Sequence, residues 1–401
     1  MKSYYIKPSQ DLTGMTCIPG DKSISHRSVM LASLATTPIT IKNFLHAEDC
    51  CSTVHCMKKL GAAISIDADG HLYICGRGLR GLLEPKCVLD AGNSGTTMRL
   101  LCGILSGQQF FSVLTGDSSL CSRPMERVIT PLTQMGVSII GRMQNKYAPL
   151  AILPSTNLRS INYEIPVASA QVKSAILLAA MYAEGTSTVV EPYLSRDHTE
   201  RMLEMFGVRI ERAGLGLSIS TVDELSAPAV IDVPGDISSA AFWLVAATVI
   251  PNSELTLCNV GINPTRTGII DVLTDMGAHI SLENRRYSGK EPVADLKVKF
   301  AKLTGVSIGT EIIPRLIDEI PILAVAAMFA SGKTVISGAE ELRVKETDRL
   351  HAVALEFGKM GAVIEEKEDG LVIEGGHSLH EATCFAHHDH RIAMSLAIAG
   401  S

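Results

Sequence analysis

An internal repeat constrains this chain more than any other feature. Text that reads as a helix end, a Gly and then a β-prone stretch occurs five times: MKKLGAAISI (57–66), LTQMGVSII (132–140), MLEMFGVRI (202–210), VLTDMGAHISL (272–282) and FGKMGAVIEE (357–366). Gly61, Gly136, Gly207, Gly277 and Gly361 each stand where a helix can end in left-handed geometry before a strand begins. A second element alternates with the first. It is a helix rich in small residues that starts with polar ones: SHRSVMLASLA, NSGTTMRLLCGILSG, SAQVKSAILLAAMYAEG, DISSAAFWLVAATVIPNS, DEIPILAVAAMFASG and DHRIAMSLAIAGS. The first five copies run into β-branched text such as TPITIKNF and GTSTVVEP. The unit is therefore strand, helix, strand, helix, strand, strand, at roughly 70 to 80 residues a copy. Six helices of one kind against five of the other imply a chain that stops partway through its sixth unit, and a truncated form is expected.

The two helix kinds differ in patterning. The small-residue helices are apolar almost all round and should be buried; the 240–250 run belongs to one of them. The others are one-sided, as with Leu350, Val353, Ala354, Phe357 and Met360. A chain of 401 residues is long for one core. An α/β protein of two domains is expected, each wrapping the sheets of three units around buried parallel helices. Aromatics are only 4% of residues, so that core must be aliphatic.

Charge and cysteine usage exclude several classes. A net charge of −6 argues against a general nucleic-acid binder. The ten cysteines show no CxxC pair, which favours reduced thiols. No signal peptide is evident, and no apolar run reaches the roughly 18 residues of a membrane span. A cytoplasmic protein with no membrane partner is expected.

The polar helix starts concentrate the chemistry. Ahead of the small-residue helices lie Lys22, Ser23 and Arg27; Asn93, Ser94 and Arg99; Ser169, Gln171 and Lys173; Asp236; Asp318 and Glu319; Asp389, His390 and Arg391. Ahead of the others lie Glu48 and Asp49; Ser122, Arg123 and Arg127; Ser195, Arg196 and His198; Thr265 and Arg266; Arg343, Lys345, Glu346, Asp348 and Arg349. Ser, Asn and Asp there are ordinary caps. Cations are not, because they oppose the helix dipole; repeated at this end, they imply an anion between them. Arg in particular suits phosphate and carboxylate. A small polyanionic substrate, or two, is expected.

Five segments, PGDKSISHR (19–27), GNSGTTMR (92–99), GDSSLCSRPM (116–125), RVKETDR (343–349) and DHRIAM (389–394), resemble in order the signatures of the 5-enolpyruvylshikimate-3-phosphate synthase family of enolpyruvyl transferases. The resemblance implies two domains, each of three βαβαββ units in pseudo-threefold arrangement (an inside-out α/β barrel). The first domain would be split into 1–20 and 230–401 around an inserted 21–229, with the active site in the cleft between them. It implies transfer of the enolpyruvyl group of phosphoenolpyruvate to the 5-hydroxyl of shikimate-3-phosphate through a tetrahedral intermediate that loses phosphate. No metal or organic cofactor takes part, and the protein is expected to be a monomer.

Carried over by motif, Lys22 touches both substrates and assists proton transfer. Ser23, Arg27, Ser169, Gln171, Ser195, Asp318 and Lys345 contact shikimate-3-phosphate. Gly95, Arg123, Gln171, Arg349 and Arg391, with Lys22, contact phosphoenolpyruvate. Asp318 receives the hydroxyl proton, and Glu346 protonates and deprotonates the methylene carbon. Gly95 suggests sensitivity to glyphosate, the family's inhibitor at the phosphoenolpyruvate site.

The chain departs from the family at three places. Ala170 replaces a second Ser, whose phosphate contact Lys173 or backbone could supply. Glu341 stands where some members have Asn, and the C-terminal strand–helix segment with a phosphoenolpyruvate-contacting Lys is absent. Two rivals carry less weight. Cys121, two residues before Arg123-Pro124, is reminiscent of the sister transferase acting on UDP-N-acetylglucosamine. Cys384, His387, His388 and His390 could approach one another as metal ligands, but no second ligand cluster with metal spacing accompanies them.

Overall fold

The repeat becomes sheets and helices in the same alternation. The structure, a computed structural model, describes residues 3–155 and 157–401. The chain divides into two compact units. The first contains the segments up to Ile18, Gly235–Arg286 and Pro292–Ser401; the second contains Pro19–Pro234 and Tyr287–Glu291.

The second unit holds three four-stranded sheets. Their strand orders are 230–232, 39–42, 72–75, 63–66; then 89–90, 112–115, 147–152, 139–141; then 210–213, 216–220, 186–190, 162–164. In each, one edge strand runs parallel to its neighbour, and the other two form an antiparallel hairpin. The buried helices Lys22–Ser33, Gly95–Leu105 and Ala170–Ala180 supply the core. Their small residues permit close approach: a Cβ on Gly103 would come 2.3 Å from the carbonyl oxygen of Ala175. The one-sided helices Glu48–Lys59, Glu126–Gln134 and His198–Met205 complete the units.

The first unit repeats the pattern with two sheets, ordered 13–17, 254–261, 291–299, 279–288 and 307–308, 333–336, 371–374, 363–366. Its buried helices are Ile237–Val249, Ile320–Phe329 and His390–Ala399, and its one-sided helices are Gly268–Asp275 and Arg349–Lys359. Leu350, Val353 and Phe357 are buried as the periodicity requires. The five repeat glycines all lie at positive φ, from 80° to 101°, directly after a helix. A side chain there would be strained.

Two strands sit elsewhere than the repeat alone suggests. Strand Thr13–Cys17 precedes the Lys22 helix in sequence but pairs in parallel with Glu254–Gly261, from Thr13↔Glu254 to Cys17↔Cys258. Strand Val230–Asp232 precedes the Ile237 helix but pairs with residues 40–42. The leading strands of two repeats are thus exchanged, and the chain passes from one unit to the other between Ile18 and Pro19 and again between Pro234 and Gly235. Among the described residues no helix is long and apolar enough to cross a membrane.

Candidate active site

Most of the singled-out residues gather at helix starts, and caps come first. Asp21, Ser94 and Ser169 in the second unit, and Asp236, Asp348 and Asp389 in the first, each accept a hydrogen bond from a backbone N–H of the first helical turn. These side chains fix where each helix begins and so where its neighbours point.

In the second unit, Arg27 is buried one turn into its helix. Its Nε donates to Thr199 Oγ1 at 2.6 Å, Nη2 to Ser174 Oγ at 2.9 Å and Nη1 to the carbonyl of Ser23 at 2.9 Å. All three acceptors are uncharged. Burial pulls its pKa down to about 10, against the opposing pull of Glu200 and Asp21. Lys22, half-buried, pairs with Asp49 at the start of the next helix. Gln171 joins the Ala170 helix to the Gly95 helix: its amide donates to Thr96 Oγ1 at 3.1 Å and its carbonyl accepts from Arg99 at 2.8 Å. Arg123 donates to Asn93, whose amide in turn donates to Asp117 at 2.6 Å, so the GNSGT and GDSSLCSRP segments are tied together. Gly95 faces these cations. A Cβ on it would lie 2.7 Å from Arg99 Nη1 and 3.7 Å from Arg123 Nη1.

Lys173, one of the two alternatives offered at Ala170, is not an open phosphate ligand, which leaves the backbone. It is buried, with Nζ 2.8 Å from Glu191 and 2.7 Å from Glu200, and it donates to the Ser195 carbonyl at 3.4 Å. Burial opposes its charge, but the two carboxylates outweigh burial and hold its pKa above the ordinary lysine value. Ser195 is buried and donates its hydroxyl to Glu191. Ser23 lies half-buried in the first turn of its helix.

In the first unit, one guanidinium collects three carboxylates. Buried Arg349 reaches Asp389 through Nε at 2.8 Å, Asp318 through Nη1 at 3.2 Å and Glu346 through Nη2 at 2.6 Å. Burial alone would lower its pKa; the Glu346, Asp318 and Asp389 charges raise it instead. Arg391 donates to the Asp318 carbonyl at 3.1 Å and lies 3.8 Å from the buried Glu319 carboxylate. Lys345 is half-buried just beyond the short turn Glu340–Val344.

Sequence reasoning missed several partners. Asp49 for Lys22, Asp389 for Arg349, Thr199 and Ser174 for Arg27, and Glu191 and Glu200 for Lys173 are remote in sequence from the groups they hold. Asp389 and Asp49 carried a signal, each by its place at a helix start. The metal reading of the C-terminal histidines finds no cluster: Cys384 donates to the Glu356 carbonyl and His387 pairs with the Glu356 carboxylate at 2.7 Å. Among the described residues, the metal-compatible grouping is instead Asp67, Asp69 and His71. Cys121 donates to the Gly116 carbonyl at 3.3 Å.

Repeated βαβαββ units whose helix starts hold Arg, Lys and paired carboxylates define an enzyme of the enolpyruvyl transferase class. The EPSP synthase (3-phosphoshikimate 1-carboxyvinyltransferase) family profile matches residues 6–401. The 3-phosphoshikimate 1-carboxyvinyltransferase of Pelotomaculum thermopropionicum is 55% identical, over 99% of this chain and 91% of the relative. That of Bacillus cereus is 53% identical, over 100% and 93%. A solved EPSP synthase structure from Acinetobacter baumannii superposes with a TM-score of 0.87 at 44% identity, covering 98% of this chain and 90% of that one. The chain belongs to the EPSP synthase family.

Proposed function

We propose that this chain transfers the enolpyruvyl group of phosphoenolpyruvate to the 5-hydroxyl of shikimate-3-phosphate and releases phosphate, a step on the way to chorismate and the aromatic amino acids. The observation that carries the mechanism is Arg349 holding Asp318 and Glu346 on one guanidinium. The reaction needs proton transfer at two different atoms, the hydroxyl oxygen and C3, and two carboxylates held side by side serve one atom each.

In the addition step the 5-hydroxyl oxygen bonds to C2 of phosphoenolpyruvate. Asp318 takes the hydroxyl proton, and C3 receives a proton from Glu346, giving a tetrahedral adduct. In the elimination step Glu346 removes a C3 proton, the C2–C3 double bond re-forms and phosphate leaves with the C2–O electron pair. Lys22 contacts both substrates and assists proton transfer.

Ser23, Arg27, Ser169, Gln171, Ser195, Asp318 and Lys345 bind shikimate-3-phosphate. For Arg27 the supporting fact is its set of uncharged partners, which leaves a buried positive charge for an anion to compensate. Gly95, Arg123, Gln171, Arg349 and Arg391 bind phosphoenolpyruvate, with the bare Gly95 Cα admitting the ligand between Arg99 and Arg123. No metal or cofactor is required, and the enzyme works as a cytoplasmic monomer.

The test is phosphate release from purified protein. Release that requires both phosphoenolpyruvate and shikimate-3-phosphate, and that glyphosate suppresses in competition with phosphoenolpyruvate, is the expected result. Release with UDP-N-acetylglucosamine as acceptor, and none with shikimate-3-phosphate, would overturn the reading.

A further inference from the structure

His26 lies in the PGDKSISHR segment, yet the reaction as written gives it no task. It is fully buried and sits in a chain of hydroxyls that are also fully buried. Its Nδ1 is 2.7 Å from Thr53 Oγ1, which is 2.7 Å from Thr97 Oγ1. Thr97 Oγ1 in turn is 2.7 Å from Ser94 Oγ, the cap of the Gly95–Leu105 helix. The path leaves the Lys22 helix, crosses the Glu48 helix at Thr53 and ends at Ser94, the residue before Gly95.

Each hydroxyl has one hydrogen to give, so the chain has a direction. Thr97 sits against Ser94 Oγ and, at 3.4 Å, the carbonyl of Asp49, which can only accept. Its hydrogen is drawn that way, and it must accept from Thr53. Thr53, its hydrogen spent, must accept from His26, so Nδ1 carries the proton. The opposite ring nitrogen agrees with this. Nε2 has no hydrogen-bond partner among the described residues. As a bare lone pair it is an unused acceptor, a smaller penalty than a buried N–H without an acceptor. Burial, with the Lys22 and Arg27 charges, keeps the ring neutral by holding its pKa well below the ordinary value.

We propose that His26 is a positioning residue for phosphoenolpyruvate: as the Nδ1–H tautomer it drives a one-way hydroxyl chain that fixes the Ser94 cap and, through it, the Gly95 backbone. The proposal rests on the reading of Gly95 as a phosphoenolpyruvate contact. Asn at 26 can present a side-chain N–H close to the place of Nδ1–H, whereas Leu cannot.

Two measurements test it. The first is the ¹⁵N spectrum of histidine-labelled protein, with His26 assigned by its loss in His26→Asn. The expected result is a neutral ring protonated at Nδ1; a ring protonated at Nε2 overturns the proposal whether or not the protein is active. The second is steady-state kinetics. His26→Leu should raise KM for phosphoenolpyruvate about 3- to 10-fold, the worth of one hydrogen bond, and leave KM for shikimate-3-phosphate nearly unchanged. His26→Asn should recover most of the loss. Thr97→Val should reproduce the effect, and the double variant with His26→Leu should be no worse than either single one. Equal rises in both KM values, or no difference between the Leu and Asn variants, would overturn it. Wild-type protein inactive with both substrates would instead count against the reaction, with the tautomer still deciding the hydroxyl chain.

Discussion

Arg27 in the second unit and Arg349 in the first are both buried arginines near a helix start, and their surroundings are opposite. Arg27 donates to two hydroxyls and a carbonyl, and burial pulls its pKa down to about 10. Arg349 donates to three carboxylates, whose charges raise its pKa in spite of burial. The same side chain therefore meets two needs. In the proposed reaction, a guanidinium among neutral oxygens keeps charge in reserve for an incoming anion. A guanidinium among carboxylates spends its charge on holding them in place.

The largest effect expected from this contrast is at Arg349. Arg349→Gln leaves Asp318, Glu346 and Asp389 without their shared cation, so kcat should fall by roughly 10²–10⁴. Stability should drop by about 3–5 kcal/mol, the cost of breaking a buried ion pair from one side. Both are read from single-turnover kinetics and thermal unfolding. A variant that changed only KM for phosphoenolpyruvate would make Arg349 a simple binder and erase the contrast.

Arg27→Gln is the complementary test, with a middle-sized effect. KM for shikimate-3-phosphate should rise about 10- to 100-fold, as for a hydrogen bond to a charged group, with kcat close to wild type. Unfolding midpoints should move far less than for Arg349→Gln, since no carboxylate is left unpaired. If the two variants lost similar stability, the notion of a charge held in reserve would fail.

The smallest effect concerns a second carboxylate centre of the first unit. Glu356 is buried and accepts from Lys359, from the Phe385 N–H at 2.8 Å and from His387 at 2.7 Å. Burial pushes its pKa up, but these hydrogen bonds and the Lys359 charge more than offset that, leaving it below the ordinary glutamate value. A carboxylate with a depressed folded pKa stabilises fully above its unfolded pKa, about 4.3, and loses that contribution as pH falls through the folded value. Wild type should therefore exceed Glu356→Gln by about 1 kcal/mol at pH 7, and the gap should close in acid unfolding series. A pH-independent gap would mean that the charge of Glu356 plays no part.

How much of this was legible beforehand varies by residue. Gly61, Gly136, Gly207, Gly277 and Gly361 announced the helix ends because left-handed backbone has a local residue preference. Leu350, Val353 and Phe357 announced a buried stripe because helical periodicity is local too. Lys173 was misread. A lysine beside a phosphate-contact motif looks like an anion ligand until Glu191 and Glu200 are brought to it. The Cys384 and His387 spacing kept a lesser metal reading open, and Glu356, on another element, claims both residues.

Sequence alone determined the repeat, the helix boundaries with their caps, the aliphatic core and the family, since each depends on residues close together in the chain or on ordered motifs. Tertiary structure decided the exchange of strands Thr13–Cys17 and Val230–Asp232, the three carboxylates on Arg349, the neutral setting of Arg27 and the hydroxyl chain from His26. Apart from Glu346, three residues before Arg349, those depend on partners remote in the sequence. Helical and strand periodicity place a side chain on a face, but only packing brings its partner to that face, and the partner sets whether a buried charge is compensated.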